Sequence, residues 1–311
     1  MPYNNIIDRT GVAAWMPEEV SRRMISEMSD DSGVLSAFSR IPVARTQVRF
    51  PILAALPVAY FVAGDTGLKQ TTEVSWDNKY MNIEELACIV PVPENVLDDA
   101  SIDIWGEVEP LVRQAVSRTL DAAVFFGVNA PGTWPTNIAA AATAAGNVVT
   151  AGTATVAEGG IAGDISELFA TLEADGYDSS RVVGRTTLKG QFRNTRDANG
   201  VLLSEVSQES VWGAQVSYPM RGLWPTAAGS PELFALDGSH FMVGVRSDIS
   251  LKVLDQAVIQ DNLGAIIYNL AQQDMVATRC TFRVGWQVAN PINYDEQNEA
   301  DRYPAGVLLS A

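Results

Sequence analysis

The most regular pattern in the chain is an alternation near its end. From Met275 to Val288 one face carries Val276, Cys280, Phe282, Val284, Trp286 and Val288, while Ala277, Arg279, Thr281, Arg283 and Gln287 fall on the other. A period of two held over so many residues predicts one long strand. A second pattern has steps of three and four: Ile104, Val108, Leu111, Val112, Ala115, Val116, Leu120, Ala123 and Val124. It predicts a long helix from about Ser101 to Gly127, with Arg113, Gln114, Ser117, Arg118 and Asp121 on its polar side. Asp98, Asp99 and Asp103 stand where the amino-terminal end of a helix favours negative charge, and Gly127 is a stop. Pro110 lacks an N–H and clashes with the preceding turn, which predicts a kink or a restart there.

The segments between these two patterns are weaker. Residues 1–45 read as an arm with a short helix starting at Pro17, striped by Val20, Met24, Ile25 and Met28 and stopped at Asp30-Asp31-Ser32-Gly33. Thr46 to Val62 reads as a strand whose Pro51 and Pro57 suit an edge. Ala63-Gly64-Asp65-Thr66-Gly67 is a turn, and the chain returns extended from Gln70 to Tyr80. The two limbs make a long hairpin with few apolar residues near its tip, and a lone two-stranded hairpin is marginal in water, so it needs a partner. The following strand, Leu86 to Pro93, alternates poorly, and Pro91 and Pro93 place it at an edge or a strand end.

After the helix, Pro131, Gly132, Trp134 and Pro135 mark a linker, and the alanine run from Ala139 to Ala145 allows either short turns or a helix. A second lobe of alternating helices and strands follows. Asp164-Ile165-Ser166-Glu167 has the form of a capping box. Helices over 165–176 and 187–195 alternate with strands at 181–184, 211–216 and 233–236, a mixed α/β pattern. Residues 240–246 and 249–253 predict consecutive strands before the long one. The tail from Tyr294 to Ala311 is acidic and then apolar.

Composition narrows the function. At 311 residues the chain forms one large domain or two compact ones, and 47% hydrophobic with 19% charged residues supports a packed core. No run approaches the roughly 18–20 apolar residues that cross a bilayer, which predicts no membrane partner. Met1-Pro2-Tyr3-Asn4-Asn5 has no basic segment before an apolar one, so no secretory signal is expected. The net charge of −16 argues against an ordinary nucleic-acid binder, which needs cations to displace phosphate counterions. It does not argue against a container whose lining must not stick to packed DNA.

Catalytic constellations are missing from the sequence. Neither GxxxxGK[ST], GxGxxG after a strand, nor G-x-S-x-G occurs, so no cofactor is expected. His240 is the single histidine, which disfavours a His-based metal site or a Ser-His-Asp triad. Asp98-Asp99 reads as helix-entry charge rather than an acid/base pair. Cys88 and Cys280 are the only cysteines, lie far apart in sequence and form no CxxC, so two thiols are expected rather than a disulfide. Scattered Trp76, Trp105, Trp134, Trp212, Trp224 and Trp286 suit core or interface anchoring.

Several stretches together resemble the major capsid proteins of tailed phages, which have the Hong Kong 97-type fold. They are Glu73-Val74-Ser75-Trp76; Val92-Pro93-Glu94-Asn95-Val96-Leu97-Asp98-Asp99-Ala100 and the helix after it; Thr195 to Gly200; Trp212 to Val216; and Asp274 to Arg279 with Arg283 to Val288. Their order and spacing span most of the chain. The resemblance implies an α+β fold with an N-terminal arm (1–45) and an extended hairpin loop (46–80). It also implies a peripheral domain holding the spine helix and long strands (81–135 and 238–295), and a mixed α/β axial domain (136–237 and 296–311). It implies a non-enzymatic shell protein that joins itself into pentamers and hexamers around phage double-stranded DNA. A separate scaffolding protein, a portal and a cement protein are the expected partners, with assembly in the host bacterial cytoplasm and residence in the virion capsid. Gly64, Asp65, Lys69, Glu73, Trp76, Arg279 and Arg283 are the implied inter-subunit contacts. Some members cross-link subunits by an isopeptide bond between a loop Lys and an Asn, with a catalytic Glu. Here Lys69 and Lys79 lie in or near the loop, but Ile266 takes the Asn position and Gln273 the Glu position, which disfavours that reaction. An encapsulin-like compartment holding protein cargo shares the fold and is the alternative.

Overall fold

The computed structural model describes residues 32–311, apart from 63–67, 70, 96–103, 197–198, 204, 220–221, 247–249 and 262. The expected helix near Val20, the glycine turn and the acidic helix entry at Asp98, Asp99 and Asp103 lie outside the described residues.

One strand organises the first sheet. Strand β14 (Met275–Val288) pairs along one edge with β4 (Glu84–Pro93), antiparallel from Met275↔Pro93 to Val284↔Glu84. Its other edge is shared by β11 (Ser250–Leu254) and β10 (Phe241–Val245). Strand β1 (Ser39–Pro42) adds parallel to β10. The alternation decides what each face does. Cys280, Phe282, Val284, Trp286 and Val288 are all buried in the main core. The opposite face is not uniformly polar. At one end Met275 and Ala277 are buried under the small hairpin β12–β13 (Val258–Gln260 and Ile266–Asn269) with Tyr268 and Leu270. At the other end Gly285 is covered by the chain at Asn82 and Ile83. Arg279, Thr281 and Arg283, between those ends, stay half-exposed, as does Gln287 beyond Gly285.

The spine helix α2 (Ile104–Phe126) lies on the core face of this sheet. Val108, Val112, Val116, Leu120 and Val124 repeat every four residues and are buried. Two expectations fail here. Leu111 and Ala115, placed on the apolar face, are exposed, whereas Ser117 and Asp121, placed on the polar face, are buried. The apolar stripe follows the four-residue row, and the short helix α1 (Gly33–Ala37) covers the side where Asp121 sits. Pro110 neither breaks nor restarts the helix, which runs continuously through it. Gly127 does end it, with a left-handed φ of 73° and its N–H on the Ala123 carbonyl.

The second sheet has the order β5-β15-β9-β6-β8-β7, from β5 (Val148–Thr150), β6 (Arg181–Gly184), β7 (Ser210–Val211), β8 (Ala214–Ser217), β9 (Pro231–Leu236) and β15 (Ala305–Leu309). The apolar end of the tail is thus an interior strand between β5 and β9, an element its sequence did not signal. The alanine run resolves as helix α3 (Ile138–Ala144), capped by Asn137, whose side chain accepts from Ala140 N at 2.9 Å. Helix α4 (Ile161–Ala174) starts earlier than the expected capping box at Asp164. Asp164 is instead a buried acceptor for the backbone N–H groups of Gly152 and Ala154, both at 2.7 Å. The reciprocal capping box belongs to Thr155 and Glu158, on a single 3-10 turn. Helix α5 (Leu188–Asn194) completes this layer.

The two sheets share one core. Phe38 stacks on Phe241, and Phe38, Phe125 and Phe126 from the end of α2, Phe234 from β9 and Trp224 meet at tilted or edge-on angles, with ring centroids 4.8–6.4 Å apart. Large aromatic rings meeting in this way bury much apolar area where the two sheets join.

Candidate inter-subunit surface

A two-stranded hairpin, β2 (Gln47–Ala55) with β3 (Ser75–Asn82), leaves the body of the chain. Its base is held by shape. Gly244 and Gly285 face each other across the β10–β14 ladder. A methyl group on Gly244 would lie 2.5 Å from Met81 Sδ, and one on Gly285 would collide with the Asn82 carbonyl oxygen. Paired glycines therefore let the hairpin base cross the sheet at backbone distance, with Met81 wholly buried beneath it.

Polar ties continue outward. Gln287 Nε2 donates to the Tyr80 carbonyl at 2.8 Å, Ile292 N donates to the Leu53 carbonyl at 3.1 Å, and Tyr294 Oη donates to the Pro57 carbonyl at 3.2 Å. Lys79 Nζ meets Glu299 Oε1 at 2.6 Å. Pro51 is tolerated because β2 pairs with β3 and with no other described strand.

Beyond these ties the hairpin is uncovered. Phe61 is fully exposed, Leu68 is 89% exposed and Trp76 66%, and Val58, Tyr60, Val62 and Val74 are exposed as well. The limbs beside the tip are therefore richer in apolar residues than the sequence reading had it. Burying a side chain of this size contributes about 1.5–3 kcal/mol, and contiguous exposed apolar surface marks an interaction site.

The residues singled out from the sequence fall into two groups. Lys69, Glu73 and Trp76 are exposed on the hairpin, and Gly64 and Asp65 lie outside the described residues. Arg279 and Arg283 lie four residues apart on β14. Arg283 places Nε and Nη2 on Glu85 Oε2, each at 2.9 Å, across the β4–β14 ladder. Arg279 is half-buried between Lys252 and Ile89 in register. The structure thus gathers the hairpin residues on one element and the arginines on another. Ile266 is 63% exposed and apolar, and Gln273, which carries an amide rather than a carboxyl group, accepts from the Asn269 N–H at 3.0 Å.

Residues 32–43 were read as part of the arm, yet they enter the main core. Val34, Leu35 and Phe38 are buried. Asp121 holds this entry. Its carboxylate accepts from Ser32 Oγ at 2.7 Å, Gly33 N at 2.8 Å and Val34 N at 3.1 Å. Full burial nonetheless pushes its pKa up to about 6, against the lowering effect of those three donors. Sequence alone offered no signal for this residue beyond an Asp on an otherwise amphipathic helix.

A second polar knot ties the tail to the junction of the two sheets. Asp175 accepts from Asn147 Nδ2 and Tyr303 N, Arg302 donates to the carbonyls of Pro291 and Gln297, and Tyr177 Oη donates to Asn290 Oδ1. Burial pushes the Tyr177 phenol up to about 12. His240 completes it, with Nδ1 2.9 Å from Asp237 Oδ2 and its ring edge-on to Tyr177. These groups satisfy one another, as a structural polar network must when buried. Among the described residues no group of three or more His, Cys, Asp or Glu could hold a metal ion, and no helix is long and apolar enough to cross a membrane.

Comparison with known proteins agrees with this geometry. The profile of the phage capsid family matches residues 13–293. The major capsid protein of Staphylococcus phage 80alpha is 24% identical over 290 residues, covering 91% of this chain and 85% of that one. A solved structure from Microbacterium phage Oxtober96 superposes with a TM-score of 0.79 at 37% identity, covering 90% of this chain and 91% of the other. One from Mycobacterium phage Adephagia gives 0.79 at 32%, covering 90% of each chain. The capsid of a native GTA particle shares the fold at 17% identity and a TM-score of 0.59, covering 100% of this chain and 95% of that one. These relatives favour a phage shell over an encapsulin-like compartment. The chain belongs to the phage capsid family, with the Hong Kong 97-type fold and the role of a phage major capsid protein.

Proposed function

We propose that the chain assembles through pentamers and hexamers into an icosahedral shell around double-stranded DNA. In this reading the first sheet and α2 form a peripheral domain (81–135 and 238–295). The second sheet forms an axial domain (136–237 and 296–311) that gathers at the local symmetry axes. The arm (1–45), whose residues from Ser32 on are anchored in the chain's own body, and the hairpin loop (46–80) tie neighbours together, with Gly64, Asp65, Lys69, Glu73 and Trp76 touching the adjacent subunit and Arg279 and Arg283 at a second contact. The observation that carries the proposal is the hairpin, whose base is seated on Gly244 and Gly285 while Phe61, Leu68 and Trp76 are exposed on its limbs.

The energy of assembly then comes from apolar burial and heterologous contacts that close into rings, not from a reaction. The net charge of −16 suits a lining that does not bind its DNA. It also repels neighbouring subunits, so local pairs and apolar area must offset it. A separate scaffolding protein, a portal and a cement protein complete the head, which is built in the cytoplasm of the bacterial host and resides in the virion.

Negative-stain electron microscopy with light scattering on the purified protein, alone and with its neighbouring gene products, tests this. Closed shells, or free pentamers and hexamers, are expected. A monomer or dimer under every condition, even with scaffold supplied, overturns it.

A further inference from the structure

The only two cysteines of the chain, 192 positions apart in sequence, are direct partners in the β4–β14 ladder, Cys280↔Cys88. Both are free thiols. Directly opposed residues of an antiparallel pair have Cα atoms about 4.5 or 5.5 Å apart, depending on the hydrogen-bonding class, and both values fall inside the roughly 4.4–6.8 Å that a disulfide spans. Opposed side chains also leave the sheet on the same face, so the two sulfurs project together. That face is the one beneath α2, where Cys280 is 4% exposed and Cys88 half-buried.

We propose that Cys88 and Cys280 are an oxidation site, forming a reversible intrachain disulfide that staples β4 to β14, with a low-molecular-weight disulfide as the oxidant. The balance is that of two exchange steps. The thiolate of one cysteine attacks the small disulfide and releases one small thiol, leaving a mixed disulfide. The thiolate of the other attacks that protein sulfur and releases the second small thiol. The protons of the two cysteines end on the two released thiols, the cysteines are oxidised, and the small disulfide is reduced.

Access comes through the edge. Strand β4 pairs with β14 and with no other described strand, and Pro91 and Pro93 remove ladder donors at one end, so local opening of β4 exposes Cys88 first. Burial raises both thiol pKa values, that of Cys280 to about 11, so the reaction is slow at neutral pH and accelerates as pH rises. The bond would close a loop of almost two-thirds of the chain, and the constraint on the unfolded state grows with loop length.

The test treats assembled protein with oxidised glutathione, then alkylates in denaturant and runs a non-reducing gel. Alkylatable thiols should fall from two to none per chain, with a faster-migrating monomer band that reductant reverses, and the melting temperature should rise on the order of 5 °C. Neither Cys88→Ser nor Cys280→Ser should show the faster band. A parallel arm keeps the oxidant present throughout refolding and assembly, which removes slow access as a cause of failure. Two thiols persisting in both arms, only intermolecular dimers or glutathione adducts, or stapled chains that no longer assemble would each overturn the site. The bond requires the fold of one subunit alone, so its failure leaves the shell reading untouched.

Discussion

Strand β14 and the hairpin β2–β3 are both long antiparallel β structure, and they meet at Gly285, but they solve the problem of exposed surface in opposite ways. Strand β14 has partners on both edges and cover on most of both faces, all from its own chain. The hairpin is seated at its base and tied to the body as far out as Leu53 and Pro57, while Phe61, Leu68 and Trp76 on its limbs face solvent. Strand β14 finds its partners within one subunit. In the shell proposed above, the hairpin is completed by another copy of the chain. The difference teaches that stability and assembly are encoded in separate stretches of this chain.

That separation breaks if mutations in one region behave like those in the other, and the expected effects on the isolated subunit fall in order. Trp286→Ala empties the largest fully buried side chain on β14 and should cost about 3–5 kcal/mol, read as lost soluble yield and a lower denaturation midpoint.

Next comes Asp121, whose folded pKa of about 6 stands above its ordinary value of 3.8. The native state therefore binds a proton that the unfolded state has released. Stability from this group is full below about pH 4 and is lost as pH rises through 6, a swing of roughly 3 kcal/mol at about 1.4 kcal/mol per pH unit. Denaturation midpoints measured from pH 4 to 7.5 should show that slope in the wild type and not in Asp121→Asn. Parallel curves for the two proteins would remove Asp121 as the cause.

Gly285→Ala comes third. Its methyl group collides with the hairpin base and should cost about 1–3 kcal/mol, with faster proteolysis within residues 46–80 while the rest of the chain resists. A change at the exposed Arg283–Glu85 pair should cost about 0.2–1 kcal/mol by double-mutant cycle.

Smallest is Phe61→Ser, which should leave the isolated subunit within about 0.5 kcal/mol of wild type yet reduce shell yield in the scattering assay. A destabilised lone subunit here would show that the hairpin folds back on its own body and would erase the contrast with β14.

Much of the fold is legible in the residues. The period-two run fixes β14, the three-and-four run fixes α2, and Gly127 marks its end, because each pattern reports which face of one element meets a core. The misreadings have a common cause. Asp121 looks like a solvent-facing polar position until α1 is laid over it, Ser117 is buried as well, and Leu111 looks like core yet stands 61% exposed. Asp164 and Glu167 satisfy the spelling of a capping box, but Asp164 is engaged by Gly152 and Ala154 instead. At the proposed interface, the apolar limbs around Phe61 are written in the sequence. The seat formed by Gly244 and Gly285 is not, because it joins residues from distant strands.

By itself, then, the sequence determined the two long patterns, many of the shorter elements and the order of stretches that carries the family resemblance. These depend on local periodicity and on which residue follows which. Only the tertiary structure decided the partners: β15 inside the second sheet, the arm's entry fixed by Asp121, the glycine seat under the hairpin, and Cys88 facing Cys280. Each of these joins residues far apart along the chain. Their register follows from how the sheets and helices bury their faces against one another, and no local pattern contains that information.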